Sequence, residues 1–311
     1  MQQQSKATAI VVHGGAGAGK ELADGCQQAA EAAASRLAHG EDGLAAAIAA
    51  VVSMEDDGRF NAGTGSALGL DGVTVEMDAA MMDTRGRLSA VAALRAVKNP
   101  ILVARDVART PHYLLAGEGA LRFARMMGHA PYDVVTDKAR REHAKLLAKL
   151  NSEHPAMAGV GNDDFERFWN YACSPGFGGS SCCDTVGAVV RDAEGHFAVA
   201  GSTGGSAPSL LGRVGDTPLV GSGFYAGPEG AVAATGIGEY IIRQMLAIKV
   251  YQWIAGGMDL HQALRRGVEL IPPDAVVGLI AVSKTQSGFD SNREMPAAIL
   301  SGWPHIDPGP L

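Results

Sequence analysis

The string CDTVGAVVRD sets a hydroxyl residue, Thr185, between a Ser/Gly/Pro-rich stretch and an apolar run. A threonine inside a chain is a poor nucleophile. It becomes a good one when its own α-amine is free, because that amine titrates near about 8 and can take the hydroxyl proton. Freeing it requires scission of the bond between Asp184 and Thr185. The hydroxyl can do this itself: attack on the Asp184 carbonyl shifts the acyl group from nitrogen to oxygen, and water hydrolyses the ester, with the Asp184 carboxylate as a local base. Taken alone, Asp-Thr-Val reads more simply as the β-branched start of a strand.

Three Gly-rich turns downstream supply companions: GSTGG (201–205), GRVGD (212–216) and ATGIGE (234–239). Arg213 and Asp216 lie three apart in a loop, where both side chains can converge on one small ligand. A guanidinium grips a carboxylate in bidentate fashion and a carboxylate grips an ammonium, so the pair could read the α-groups of an amino acid. In isolation the pair reads as a surface salt bridge. Thr235 with the Gly236 amide could form an oxyanion hole, in which one donor contributes about 2.7–4 kcal/mol of barrier reduction. Thr235 also suits a helix N-cap.

A rival motif opens the chain. AIVVHGGAGAGKEL carries Gly14 and then, after four intervening residues, Gly19-Lys20, close to a phosphate-binding loop, but Glu21 stands where the Mg²⁺-ligating hydroxyl belongs. A carboxylate there repels phosphate. The stretch is better read as a tight turn after a buried strand, with His13 as a buried structural hydrogen-bonder.

The 311 residues suffice for a sizeable core, and 47% hydrophobic with 19% charged residues is an ordinary globular balance. With 41 Gly and 5% aromatic residues, the core must rely on close backbone approach. A formal net charge of −7 without a Lys/Arg cluster argues against nucleic-acid or anionic-membrane partners and for a small-molecule or peptide substrate. The early apolar run 9–12 is too short for a signal-peptide core, and no stretch nears the roughly 18 apolar residues that span a bilayer. Cys26, Cys173, Cys182 and Cys183 lack metal-ligand spacing. A cytoplasmic protein with free thiols is expected.

The elements that must position these groups can be drawn coarsely. A buried strand over 7–12 precedes helices over about 23–39 and 43–54, with Gly40 at a C-cap position and Asp42 at an N-cap. SALGLDGVTVEMDAAMMD reads as two strands joined at Asp71-Gly72. NPILVARDVAR reads as a helix capped by Asn99 with Pro100 first. A charged helix over 136–151 leads to a linker-like segment, 152–183. Two apolar runs from Thr185 form a hairpin. Helices over about 238–254 and 260–270 and two late strands follow. Hairpins and helix runs favour antiparallel sheets covered by helices over a doubly wound parallel sheet.

Seven motifs in order, HGGAG, FNAGTGS, MDAAMMD, DTVGAVV, STGG, GRVGDTPLVGSGFYA and ATGIGE, resemble the plant-type L-asparaginase and isoaspartyl peptidase family of N-terminal-nucleophile hydrolases. The resemblance implies an α+β fold, a four-layer αββα sandwich, made as one precursor that cleaves itself into an α-subunit (1–184) and a β-subunit (185–311). It implies Thr185 as nucleophile, Thr203 supporting its amine and hydroxyl, Arg213 on the substrate α-carboxylate, and Asp216 on the α-ammonium with the Gly238 backbone. Thr235 and Gly236 would stabilise the oxyanion, and Asn61 would reach the site from the α-subunit. The loop MEDDGRFNAGT resembles a sodium-binding loop, implying a structural Na⁺ on the main-chain carbonyls of Met54, Glu55, Asp57, Phe60, Ala62 and Thr64, with no other cofactor. A dimer of cleaved αβ units is implied. Substrates would be L-asparagine and β-aspartyl dipeptides, with L-aspartate released.

Two features depart from the common pattern. Asp184 stands where Gly is usual, as in the glycosylasparaginase and threonine-aspartase branches, and SAPSLL (206–211) replaces a polar stretch, leaving the preferred leaving group open. Retention of both charges in GRVGD favours a free aspartyl substrate over a protein-cleaving aspartase. A glycosylasparaginase-like activity and an uncleaved binding protein are the other readings. The vicinal Cys182-Cys183 reads as two small linker residues or a redox brake on processing.

Overall fold

The computed structural model describes residues 7–150, 168, 170, 171 and 185–302. The architecture is mixed α and β. In chain order come β1 (Ala9–His13), α1 (Ala23–Ala38), α2 (Gly43–Asp56), β2 (Met77–Asp83), β3 (Leu88–Leu94), α3 (Pro100–Val107), β4 (Leu114–Ala116), α4 (Gly117–Met126) and α5 (Asp137–Leu150). The second half supplies β5 (Thr185–Arg191), β6 (Phe197–Thr203), β7 (Phe224–Gly227), β8 (Gly230–Gly236), α6 (Gly238–Gln244), α7 (Leu246–Ala255), α8 (Leu260–Glu269), β9 (Val277–Ser283), β10 (Ser287–Ser291) and β11 (Ala297–Ser301).

The strands form two sheets, ordered β11-β1-β5-β6-β2-β3-β4 and β10-β9-β8-β7. All neighbours are antiparallel except β3 and β4, so the expectation of antiparallel sheets with helices holds. Side chains alternate between faces along a strand, and the apolar clusters follow that period. Ile10, Val12, Ala188 and Val190 pack with α1 to α4 on one face of the large sheet. Val11, Val189 and Val199 on its other face pack with Phe224, Ala233 and Ile280 of the small sheet. The far face of the small sheet, through Val232, Ala234 and Leu279, packs with Ile241, Leu246, Val250 and Leu264 of α6 to α8. Ala29, Ala30, Ala33 and Ala34 of α1 and Ala46, Ala47 and Ala50 of α2 are all buried. Such short side chains let backbones approach closely, which is how a core with few aromatic residues fills.

Local signals set several ends as expected. The Asp42 carboxylate caps α2 at the Ala45 amide, and Gly40 has φ +80°. Four expectations need correction. The helix over 238–254 breaks at Met245, whose φ of +47° ends α6 and opens α7. Asp71-Gly72 does turn, but residues 66–76 form no strand. The Asp71 carboxylate takes the Val73 and Thr74 amides and the Thr74 hydroxyl, a local alternative to ladder pairing. The hairpin joins β2 to β3 instead. Asn99 donates its side-chain amide to Asp56, and α3 is capped by the buried Glu55, which accepts from the Ile101 amide at 3.0 Å. Thr235 lies inside β8, so it caps no helix; the residue before α6 is Ile237. No helix among the described residues is long and apolar enough to cross a membrane.

Candidate active site

Thr185 is the first residue of β5 and pairs in register with Thr203, the last of β6. Thr203 in turn pairs with Asp78 of β2. Register partners share a face, so Thr185, Thr203 and Asp78 form a row across three strands, all buried. The row lies on the face that meets the small sheet, since Thr185 and Val189 are four residues apart. Across this gap the Thr235 hydroxyl lies 3.5 Å from the Thr185 carbonyl, to which it donates, and accepts the Ala16 amide at 3.4 Å. Gly236 follows with φ +134°, and a Cβ there would stand 2.2 Å from the Val276 carbonyl oxygen. Only glycine fits this backbone.

Asn61 braces the turn after Thr203. Its carbonyl accepts the Gly204 amide, its side-chain nitrogen donates to the Gly205 carbonyl, and its Oδ1 accepts the Ala67 amide, each at 2.8 Å. The loop that holds Asn61 thus reaches the turn that follows Thr203, the candidate nucleophile's neighbour.

Arg213 and Asp216 do converge, and the point of convergence is Gly238. A Cβ on Gly238 would lie 2.9 Å from Arg213 Nη2 and 2.9 Å from Asp216 Oδ1. Arg213 donates from Nε and Nη2 to the two oxygens of Glu239, both at 2.9 Å. Asp216 is buried, and its Oδ2 has no hydrogen-bond partner among the described residues. Burial pushes its carboxyl up to about 7; Glu239 and Asp78 push the same way, against its own main-chain amide and Arg213. The arrangement presents a guanidinium and a carboxyl of raised pKa at Gly238, two residues beyond Gly236.

Residues 6–299 match the family model described as Asparaginase. The chain belongs to the asparaginase family. It is 37% identical to the plant-type L-asparaginase of Pyrococcus abyssi over 92% of this chain and 93% of that relative. With the plant-type L-asparaginase of Pyrobaculum calidifontis it shares 38% identity over 95% and 96% of the two chains. With the isoaspartyl peptidase/L-asparaginase of Macaca fascicularis the figure is 38% over 96% of each.

Within this asparaginase-family chain, two acids of the site escaped sequence reasoning although both lie inside quoted motifs. Asp78 is the first Asp of MDAAMMD, and alternation from Ala80 puts it on the inner face. Glu239 ends ATGIGE and pairs with Arg213. His13 is fully buried opposite Gly187, as expected. Burial pushes its pKa down to about 3, with the Thr185 main chain, which it faces, opposing. It is a neutral buried group beside the start of β5.

The loop from Met54 to Thr64 is folded back on itself. The Glu55 carbonyl accepts the Thr64 amide at 2.8 Å and the Asp57 carbonyl accepts the Phe60 amide at 3.1 Å. Among the described residues the carbonyls of Phe60, Ala62 and Thr64 accept no hydrogen bond. The SAPSLL segment is held by two residues that precede β5: Tyr171 donates to the Ser209 carbonyl at 3.0 Å, and Asn170 both donates to and accepts from the Leu211 main chain. Leu210 and Leu211 pack on Leu70, Leu146 and Tyr171. Lys20 pairs with the exposed Glu294 at 3.3 Å, and β1 before it is antiparallel to both neighbours, unlike the parallel unit of a phosphate loop. Asp184 and the Cys182-Cys183 pair lie outside the described residues.

Proposed function

We propose that this chain is a self-processing amidohydrolase that cleaves the side-chain amide of L-aspartyl substrates, L-asparagine and β-aspartyl dipeptides, and releases L-aspartate. The observation that carries the reading is the link between two half-sites: Thr235 donates to Thr185, and three residues later Gly238 touches both Arg213 and Asp216. A ligand gripped by its α-carboxylate and α-ammonium at the second half-site would present its side chain to the first. The relatives' names, L-asparaginase and isoaspartyl peptidase, agree with that substrate class. The three packed clusters support a four-layer αββα sandwich.

The chemistry follows from the groups available. Scission between Asp184 and Thr185 frees the Thr185 amine. The Thr185 hydroxyl then attacks the β-carbonyl while the amine takes its proton. The oxyanion is met by the Thr235 hydroxyl and the Gly236 amide, the proton passes to the departing amine, and water hydrolyses the β-aspartyl ester. His13, with a pKa near 3, is no competitor for the base. Thr203, beside Thr185 in the row, supports amine and hydroxyl, and Asn61 fixes the turn that follows Thr203. The unengaged carbonyls of Phe60, Ala62 and Thr64 fit a hard, oxygen-seeking cation. With those of Met54, Glu55 and Asp57 they would hold a structural Na⁺ that stiffens the loop bearing Asn61.

The test compares wild type with Thr185→Ala by intact mass and by aspartate release from L-asparagine and a β-aspartyl dipeptide panel. Wild type is expected as two chains and active, the variant as one chain and silent. A fully cleaved wild type that releases no aspartate refutes the activity. A Thr185→Ala chain that still splits before position 185 refutes the mechanism.

A further inference from the structure

Asp78 is an acid without an assigned task at the end of the Thr185–Thr203–Asp78 row. At a strand spacing of about 4.8 Å it lies roughly 10 Å from Thr185, two strands away, too far to touch a reacting atom there. Its Oδ1 accepts the Ala93 amide at 2.8 Å. Ala93 holds φ +48°, a conformation that a non-glycine residue adopts only under constraint, and the bend aims its N–H at the carboxyl. The Gly215 amide and the Arg213 guanidinium also act on Asp78. One buried carboxyl therefore meets three elements: β6 through the row, β3 through Ala93, and the 213–216 loop through Gly215.

The main-chain ladders already join β2 to β3 and β6. What the side chain adds is a hold on the loop that carries Arg213 and Asp216. A buried acid is costly unless it is paired and hydrogen-bonded, and the groups Asp78 faces, Arg213, Asp216 and Glu76, are those of the substrate loop or border it. We infer that Asp78 is a positioning residue: it seats the Arg213–Asp216 loop against the Thr203 strand and thereby sets affinity for the α-groups of the aspartyl substrate. It rests on the function proposed above. Its signature is a change in binding with chemistry at Thr185 retained.

The test uses Asp78→Asn, which keeps the shape, and Asp78→Ala, which removes the acceptor. For each, KM and kcat for L-asparagine and a β-aspartyl dipeptide, Kd for L-aspartate, the extent of self-cleavage and the melting midpoint are compared with wild type. KM and Kd should rise together by about tenfold or more, the scale of a lost hydrogen bond involving a charged group. kcat should stay within about threefold, as for a loss of uniform binding, with self-cleavage complete. Unchanged KM and Kd overturn the inference. So does a pair of variants that fail to fold or to self-cleave, since Asp78 then serves the fold and not the substrate loop. A wild type that neither binds nor releases aspartate is a different result: it sinks the proposed activity, and this inference with it.

Discussion

Gly238→Ala isolates the binding half-site, because the conformation of the residue permits alanine and only the space forbids it. Gly238 opens α6 without a left-handed φ, so alanine should gain up to about 1 kcal/mol in helix propensity. The added Cβ would stand 2.9 Å from Asp216 Oδ1, 3.1 Å from the Asp216 nitrogen and 2.9 Å from Arg213 Nη2. Comfortable contact begins near about 3.5 Å, so roughly half an ångström must be found. Arg213 can swing, but only by breaking its two 2.9 Å bonds to Glu239. Asp216 cannot swing its main chain, whose carbonyl accepts the Leu219 amide at 2.9 Å and lies 2.4 Å from where a Cβ on Gly223 would stand. The guanidinium and carboxyl are therefore pushed apart. A displacement of about 1 Å can cost about 100-fold, so half of that should raise KM for L-asparagine about tenfold. Overpacking of about 1–3 kcal/mol against a propensity gain of up to about 1 kcal/mol leaves a net stability loss of roughly 0–3 kcal/mol. Initial rates of aspartate release and a denaturant titration read both numbers. Gly119→Ala is the control: it lies in α4 with nothing within 4 Å, and should stabilise by up to about 1 kcal/mol without touching KM. An unchanged KM in Gly238→Ala, with Gly119→Ala behaving as stated, would refute the placement of the substrate's α-groups.

Three further outcomes follow from the same geometry. Because the Asp216 carboxyl titrates near 7 in the free protein and must be ionised to hold an ammonium, KM should fall as pH rises from about 5 and level off above about 7; a flat profile counts against Asp216 as the ammonium's partner. In the free protein the sign for stability is opposite. A pKa raised above the ordinary carboxylate value stabilises the fold at low pH, and that contribution is lost as pH rises through about 7. Gly187→Ala puts a Cβ 2.4 Å from His13 Nε2 in a fully buried contact, so denaturant titration should show a loss of about 1–3 kcal/mol; a change under about 0.5 kcal/mol would mean that the His13 ring yields freely. Replacing sodium by choline at constant ionic strength should lower the melting midpoint progressively, by mass action on a site bound only in the fold; a midpoint indifferent to sodium excludes the loop as a sodium site.

Local chemistry made much of this molecule legible. The β5–β6 hairpin, the Asp42 cap and the convergence of Arg213 and Asp216 all arise from residues a few positions apart, where spacing alone constrains geometry. The failures are long-range or compensated locally. Apolar periodicity runs unbroken through 238–254, so nothing in the pattern marks the left-handed Met245. Asn99 has the chemistry of a cap, yet it is Glu55 from α2 that accepts the Ile101 amide of α3, a tertiary contact that no window of sequence contains. The row Thr185–Thr203–Asp78 depends on the register of β2 against β6, and strand register between distant segments is fixed by the whole sheet. No local spacing within MDAAMMD marks Asp78, because its neighbour Thr203 is set only by that register.

The charges of the site explain why two half-sites are needed. Burial holds Asp78 near 6 and Asp216 near 7, each well above the ordinary carboxylate value, and Arg213 is already matched by Glu239. The free site thus carries net negative charge, with the Asp216 carboxyl titrating close to neutral pH. A ligand bearing only a carboxylate competes with Glu239 for Arg213 and leaves Asp216 with no ammonium to face. A ligand bearing only an ammonium pairs with Asp216 and makes no use of Arg213. A zwitterion engages both: its carboxylate shares the guanidinium with Glu239, and its ammonium favours ionisation of Asp216. On the proposed function, selection for an intact aspartyl head group comes from filling both half-sites, and the fall of KM through about pH 7 measures the Asp216 half.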